Sequence, residues 1–148
     1  MAHPQAVSWG TGPWVFDTSA WWRSGLSLVA GSWDQAADGG LLVACPVVAL
    51  ELAQSARDSD GVARVGEVLA ALPEAPVNRA VTDSAFAALG ELAGTGGGRH
   101  RLPIADALIA AAAAERGFDV LHYDHHYDIL ATVLDFGSRW ITPPGSLV

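Results

Sequence analysis

The stretch from Leu102 to Leu130, LPIADALIAAAAAERGFDVLHYDHHYDIL, constrains the fold more than any other, because a helix, a strand and a second helix follow one another almost without connecting residues. Pro103 suits a first helical position, where its missing N–H would be unpaired anyway. An alanine-rich run carries the helix to Arg116, and Gly117 supplies the C-terminal stop. Val120 to Tyr123 then reads as a short apolar strand, with Asp124 at its carboxyl end. Asp106 falls in the first turn of the helix, on the face that carries Pro103, Ile109 and Ala110. A carboxylate on that apolar stripe either complements the helix dipole or meets a partner in space. Asp124 carries the same ambiguity. It can cap the helix that follows, with Asp128 as a solvated acid, or it can share a divalent cation with Asp106.

Upstream, the pattern repeats. Trp14-Val15-Phe16 is a short apolar strand that ends at Asp17-Thr18-Ser19, a junction rich in capping residues. A helical stretch from Ala20 to Ala37, broken near Gly31-Ser32, is expected next, with Trp21, Trp22 and Trp33 as core or interface anchors. Leu41-Leu42-Val43 is the second strand. Pro46 opens a helix through Ala56, and its Glu51 lies on the face of Val47 and Val48. That acid either pairs with an Arg such as Arg57 or belongs to a site. A helix from about Asp60 to Leu72, a turn at Pro73 to Val77 leading into a short strand, and a helix from Ala80 to Ala93 with Phe86 and Leu89 in the core complete the middle of the chain. After the flexible Gly94–Gly98 loop come Arg99, His100 and Arg101, which either contact phosphates or are solvated. The loop lacks the Lys and the spacing of a phosphate-cradling loop. A last strand is expected near Arg139 to Ile141, followed by an irregular tail. Strands alternating with helices point to an α/β domain with a mostly parallel sheet.

Residues 1–12 read as a loose arm and residues 13–148 as one domain, long enough to bury a core without staples. The arm has no Lys or Arg and no apolar centre, so no secretory signal is expected. No apolar run approaches the roughly 18 residues of a membrane span. Cys45 is the single cysteine, so no internal disulfide can form, and a cytoplasmic protein is the expectation. The net charge is −8 and every one of the 8 basic residues is Arg, which argues against tight nonspecific nucleic-acid binding. A nuclease is still compatible with that balance, because bound metal ions change the local field.

In parallel α/β sheets, ligand sites form outside the carboxyl ends of the strands. Asp17 and Asp124 occupy such ends, and Glu51 and Asp106 lie on helix faces turned toward the sheet. Four converging carboxylates repel and raise one another's pKa unless cations neutralise them, and hard divalent ions, Mg²⁺ or Mn²⁺, match oxygen ligands. Such ions orient and deprotonate water and stabilise charge on a phosphodiester. The residues Phe16-Asp17-Thr18-Ser19, Glu51 within VVALEL, Pro103 to Ala111 and Leu121 to Asp128 together resemble a PIN-domain ribonuclease, specifically the toxin of a VapBC-type toxin–antitoxin pair. The likeness runs from about Trp14 to Thr142, and the Asp106 block followed by the strand and Asp124 is its most specific part. It implies a three-layer α/β/α fold and a Mg²⁺-dependent endoribonuclease, with Mn²⁺ as a substitute and Asp17, Glu51, Asp106 and Asp124 as the acidic set. It also implies supporting roles for Ser19, Thr18 and Asp128, an RNA substrate, an antitoxin partner, and a homodimer or hetero-oligomer. This chain departs from the family in two places: His125 and His126 stand where the family often has Arg or Lys and an acid, and the N-terminal arm is longer. Zinc at His122, His125 and His126 is not expected, since His122 should point away along its strand. A catalytically silent PIN scaffold or RNA-binding module, and a small-molecule Mg²⁺ phosphohydrolase, are the alternatives.

Overall fold

The computed structural model describes residues 8–147. Four strands, β1 (Trp14–Phe16), β2 (Leu42–Val43), β3 (Asp119–His122) and β4 (Ser138–Trp140), form a parallel sheet in the order β2-β1-β3-β4. The central strand β1 is buried throughout, as parallel strands covered on both faces must be. Helices α1 (Thr18–Trp21), α2 (Ala30–Asp38), α3 (Pro46–Ser55), α4 (Ser59–Ala70), α5 (Arg79–Gly94), α6 (Ile104–Arg116) and α7 (His126–Leu130) complete the three-layer α/β/α arrangement.

The organising helix is α6, which packs against β1, β3, α3, α5 and α7. Its run from Ile109 to Ala113 is fully buried, and small side chains there let five elements approach closely. Gly117 ends it in the left-handed region at φ 68, a conformation that costs glycine nothing, and Phe118 N–H closes the turn on Ala113 O at 3.0 Å. The register across β1 and β3 pairs Phe16 with Leu121, so the chain leaves both strands side by side. Asp17 N–H donates to Leu121 O at 2.9 Å and fixes that junction.

Several expectations are corrected. The helix expected over Ala20–Ala37 is two helices, and the break lies between Trp21 and Ala30, with Gly31 inside α2. Ser24 Oγ donates to Trp21 O at 2.7 Å, the kind of local side-chain bond that competes with helix continuation. Pro103 caps α6 at ψ 133 instead of entering it. In place of a strand after Pro73 there is a single bridge between Ala44 and Glu74; Pro73 and Pro76 remove the donors a ladder needs. Phe86 is 82% exposed. The buried stripe of α5 is Val81, Ala85, Ala88 and Leu92, and Phe86 sits one residue, about 100°, off it. Leu89 packs against the core. Trp21 and Trp33 flank Phe16 at 5.8 and 5.4 Å, whereas Trp22 is exposed. Within the stretch expected to be loose, Trp9 is buried: its Nε1 donates to Ile141 O at 3.1 Å, and its ring meets Trp14 edge-on. Residues 1–7 lie outside the described part. No described helix is long and apolar enough to cross a membrane.

Candidate active site

Asp17 leaves β1 and caps α1, its Oδ2 accepting from Ser19 N–H at 3.1 Å and from the Ser19 hydroxyl. Ser19 Oγ in turn accepts from Tyr123 N–H at 2.9 Å, so the hydroxyl ties the first acid to the exit of β3. The other oxygen, Oδ1, accepts from Tyr127 OH at 2.8 Å. The same hydroxyl lies 3.3 Å from Asp106 Oδ1. Tyr127 therefore bridges two buried carboxylates that are 89 residues apart in sequence.

Asp106 reaches Asp124 through a histidine. His126 Nδ1 stands 3.0 Å from Asp106 Oδ2 and 3.1 Å from Asp124 Oδ1. The backbone N–H of His126 also donates to Asp124 Oδ1 at 3.0 Å, so Asp124 is tied to the first residue of α7. His125 Nδ1 lies 3.5 Å from the same oxygen. Glu51, half-buried on α3, accepts from Thr18 Oγ1 at 3.0 Å and stands close enough to Asp17 for the two charges to interact. The structure thus brings Asp17, Asp106 and Asp124 into one hydrogen-bonded chain, with Glu51 at its Asp17 end.

This crowding has an electrostatic signature. Burial, then the charges of Asp17 and Asp124, push the Asp106 carboxyl up to about 6 against the bonds from His126. Burial likewise raises Glu51, opposed by the Thr18 bond and assisted by Asp17. Tyr127 is raised well above its ordinary range by burial and by both aspartates, so its hydroxyl remains a donor.

A second layer supports Asp124 from behind. Asp128 is exposed and points to β4, accepting from Ser138 Oγ at 2.7 Å and from Trp140 Nε1 at 3.0 Å. Because Ser138 gives its proton to Asp128, it must accept from His122 Nε2 at 2.7 Å. His122 Nδ1 is then free to accept from Asp124 N–H at 3.1 Å. Asp128 acts on Asp124 only through this relay. Burial holds His122 down at about 4, so the ring is neutral and both its nitrogens are used within the fold. His125, His126 and Asp124, in contrast, gather their ligand atoms within 4.8 Å of one another, a histidine-bearing corner that sequence spacing did not suggest. Arg99 and Arg101 are exposed in the loop that enters α6. Tyr127 was missed by sequence reasoning; its only signal was a tyrosine inside the polar run HHYD, whose hydroxyl would need a partner if buried.

A PIN domain matches residues 15–132. This chain belongs to the PIN domain family. Ribonuclease VapC18 of Mycobacterium tuberculosis is 36% identical to it over 132 residues, 88% of this chain and 96% of the relative. Ribonuclease VapC21 of the same organism is 30% identical over 136 residues, covering 90% of this chain and 96% of the relative. Among solved structures, a DNA-bound VapBC from Salmonella typhimurium superposes with a TM-score of 0.68, over 89% of this chain and 100% of that one, at 14% identity. At that identity the superposition speaks for the PIN fold. The four acids, Tyr127 and His126 all lie inside the PIN domain match.

Proposed function

We propose that this PIN domain is a metal-dependent endoribonuclease, the toxin of a toxin–antitoxin pair, and that Asp17, Glu51, Asp106 and Asp124 carry the reaction. The observation behind the proposal is the meeting of Asp17, Asp106 and Asp124 at the carboxyl ends of β1 and β3, with the Asp106 carboxyl pushed up to about 6. The ribonuclease relatives, at 36% and 30% identity, supply the substrate class. The donor set suits a hard divalent ion such as Mg²⁺ or Mn²⁺: carboxylate oxygens dominate, and their mutual repulsion is what a cation relieves. When bound, such an ion activates water and stabilises charge on the phosphodiester.

The chain's own groups do the rest. Ser19 and Tyr127 hold both oxygens of Asp17 in fixed directions, so the acid needs no reorganisation. Tyr127 keeps its proton and shares it between Asp17 Oδ1 and Asp106 Oδ1, leaving Asp106 Oδ2 turned toward His126. Thr18 orients Glu51. Arg99 and Arg101, exposed in the loop ahead of α6, are proposed to meet RNA phosphates as point contacts. The proposed antitoxin brings a basic segment to the acidic groove, where an Arg can pair with a carboxylate in a bidentate fork. With a net charge of −8, the chain favours such a partner, and the proposed compartment is the cytoplasm.

An RNA cleavage assay tests this reading. Cleavage should stop in EDTA and return with Mg²⁺ or Mn²⁺, and Asp17→Asn or Asp106→Asn should each abolish it. Full activity of both variants would remove the acids from the reaction, and cutting in EDTA would remove the metal.

A further inference from the structure

His126 occupies an unusual position. It opens α7, yet its ring reaches back between carboxylates from two other segments, Asp106 on α6 and Asp124 after β3. One atom, Nδ1, is 3.0 Å from an oxygen of the first and 3.1 Å from an oxygen of the second. Neighbouring ligands on one octahedral ion, with bonds of about 2.1 Å, stand roughly 3 Å apart. The nitrogen and the Asp124 oxygen are thus spaced as donor atoms on a common ion are, and the ligand atoms of Asp124, His125 and His126 all lie within 4.8 Å of one another. The corner is within reach of solvent, with the His126 and Asp124 side chains 25% and 29% exposed. It is also locked in place: the His126 N–H bonds Asp124 Oδ1, and Asp124 N–H is held by His122. A second imidazole, His125, lies tilted beside it at 4.4 Å between ring centres.

We propose that His126 is a metal ligand through Nδ1, sharing one ion with Asp124 and turning the site from Mg²⁺ toward Mn²⁺ and its first-row neighbours. The inference rests on the metal-dependent reading above and adds the choice of metal. Carboxylates alone are hard donors and suit Mg²⁺; an imidazole nitrogen is a softer donor that Mg²⁺ accepts poorly and transition ions accept well. The neutral ring offers its Nδ1 lone pair when its proton is on Nε2.

Mn²⁺ titrated into the full chain, followed by electron paramagnetic resonance with detection of nitrogen coupling, tests the assignment without any activity readout. The wild type should bind Mn²⁺ and display the coupling of a directly bound imidazole. His126→Asn puts an amide oxygen or nitrogen near the old Nδ1, so it should keep Mn²⁺ binding while losing the imidazole signal. Its preference for Mn²⁺ over Mg²⁺ should fall by at least about tenfold, the scale on which even indirect partners of a metal change affinity. His125→Ala should retain the signal. The wild-type spectrum decides even if a variant folds poorly: Mn²⁺ bound without imidazole coupling overturns the inference and leaves metal-dependent catalysis standing. No Mn²⁺ binding overturns both. Coupling that survives His126→Asn but vanishes in His125→Ala overturns the assignment to His126.

Discussion

Tyr127 holds one hydroxyl proton between two buried carboxylates, and the site's geometry depends on it. Tyr127→Phe keeps the ring stacked on His122 at 4.8 Å and removes only that proton. Asp17 and Asp106 then face each other without a shared donor. In EDTA the variant should lose about 1–3 kcal/mol, the cost of leaving buried polar groups unpaired. Urea unfolding measures it, and a loss within a few tenths would make the hydroxyl dispensable. Two further residues give the metal-free protein an unusual pH response. The folded state raises Asp106 from 3.8 to about 6, so its stabilising contribution is full at low pH and is lost as pH rises through that range. His122 runs the other way: lowered from 6.5 to about 4, it contributes above its unfolded value and loses that contribution as pH falls. The two slopes oppose each other between roughly pH 4 and 6. Asp106→Asn removes the first, so its stability should climb with pH more steeply than the wild type's. Guanidinium melts in EDTA at both ends of that window would give parallel behaviour if Asp106 did not hold the proton.

At the level of elements, β4 is an edge strand that pairs with β3 through the backbone and is tied to it by side chains as well. Asp119, where β3 begins, accepts from Gly137 N–H at 2.9 Å and from Arg139 Nε at 3.1 Å. A Cβ at Gly137 would stand 2.6 Å from Asp119 Cγ. Gly137→Ala should therefore push Asp119 off both bonds and cost about 1–3 kcal/mol, in the range of overpacking. The loss should be read by thermal unfolding, with hydrogen exchange increased first at Ser138–Trp140. Exchange spread evenly over the sheet would show that the edge is not the weak point. Because Ser138 also carries the relay from Asp128 to His122 and Asp124, loosening β4 reaches the site indirectly.

Over the whole molecule, four carboxylates gathered without a cation weaken the fold that gathers them. At pH 7 Asp106→Asn should stabilise the protein in EDTA by on the order of 0.5–2 kcal/mol, the usual gain when a functional strain is relieved. Excess Mn²⁺ or Mg²⁺ should act in the opposite sense, stabilising the wild type by about 2.7 kcal/mol at a hundredfold excess over its dissociation constant and the variant by much less. Four melts, two proteins with and without metal, carry the comparison. A variant less stable than wild type in EDTA, with equal metal shifts in both, would make Asp106 a structural acid at a helix start.

What the sequence determined by itself was everything that depends on near neighbours along the chain. The alanine run and Gly117 set α6 and its end, and the apolar triplets at Trp14 and Val120 set adjacent strands. The acids at the strand ends followed from that order, since a parallel sheet delivers its carboxyl ends to one side. Tertiary structure decided what depends on direction. Phe86 lies about 100° from its helix's buried stripe, a one-residue offset in phase that composition cannot register. Trp9 is buried because Ile141 O, 132 residues away, accepts its N–H. Asp128, in sequence a neighbour of the acidic set, turned to β4 because Ser138 and Trp140 offered donors there. Tyr127 and His126 entered the site because α7 starts beside α6 and not elsewhere, and only packing fixes which side chains of a short helix face an acid 20 or 21 residues away.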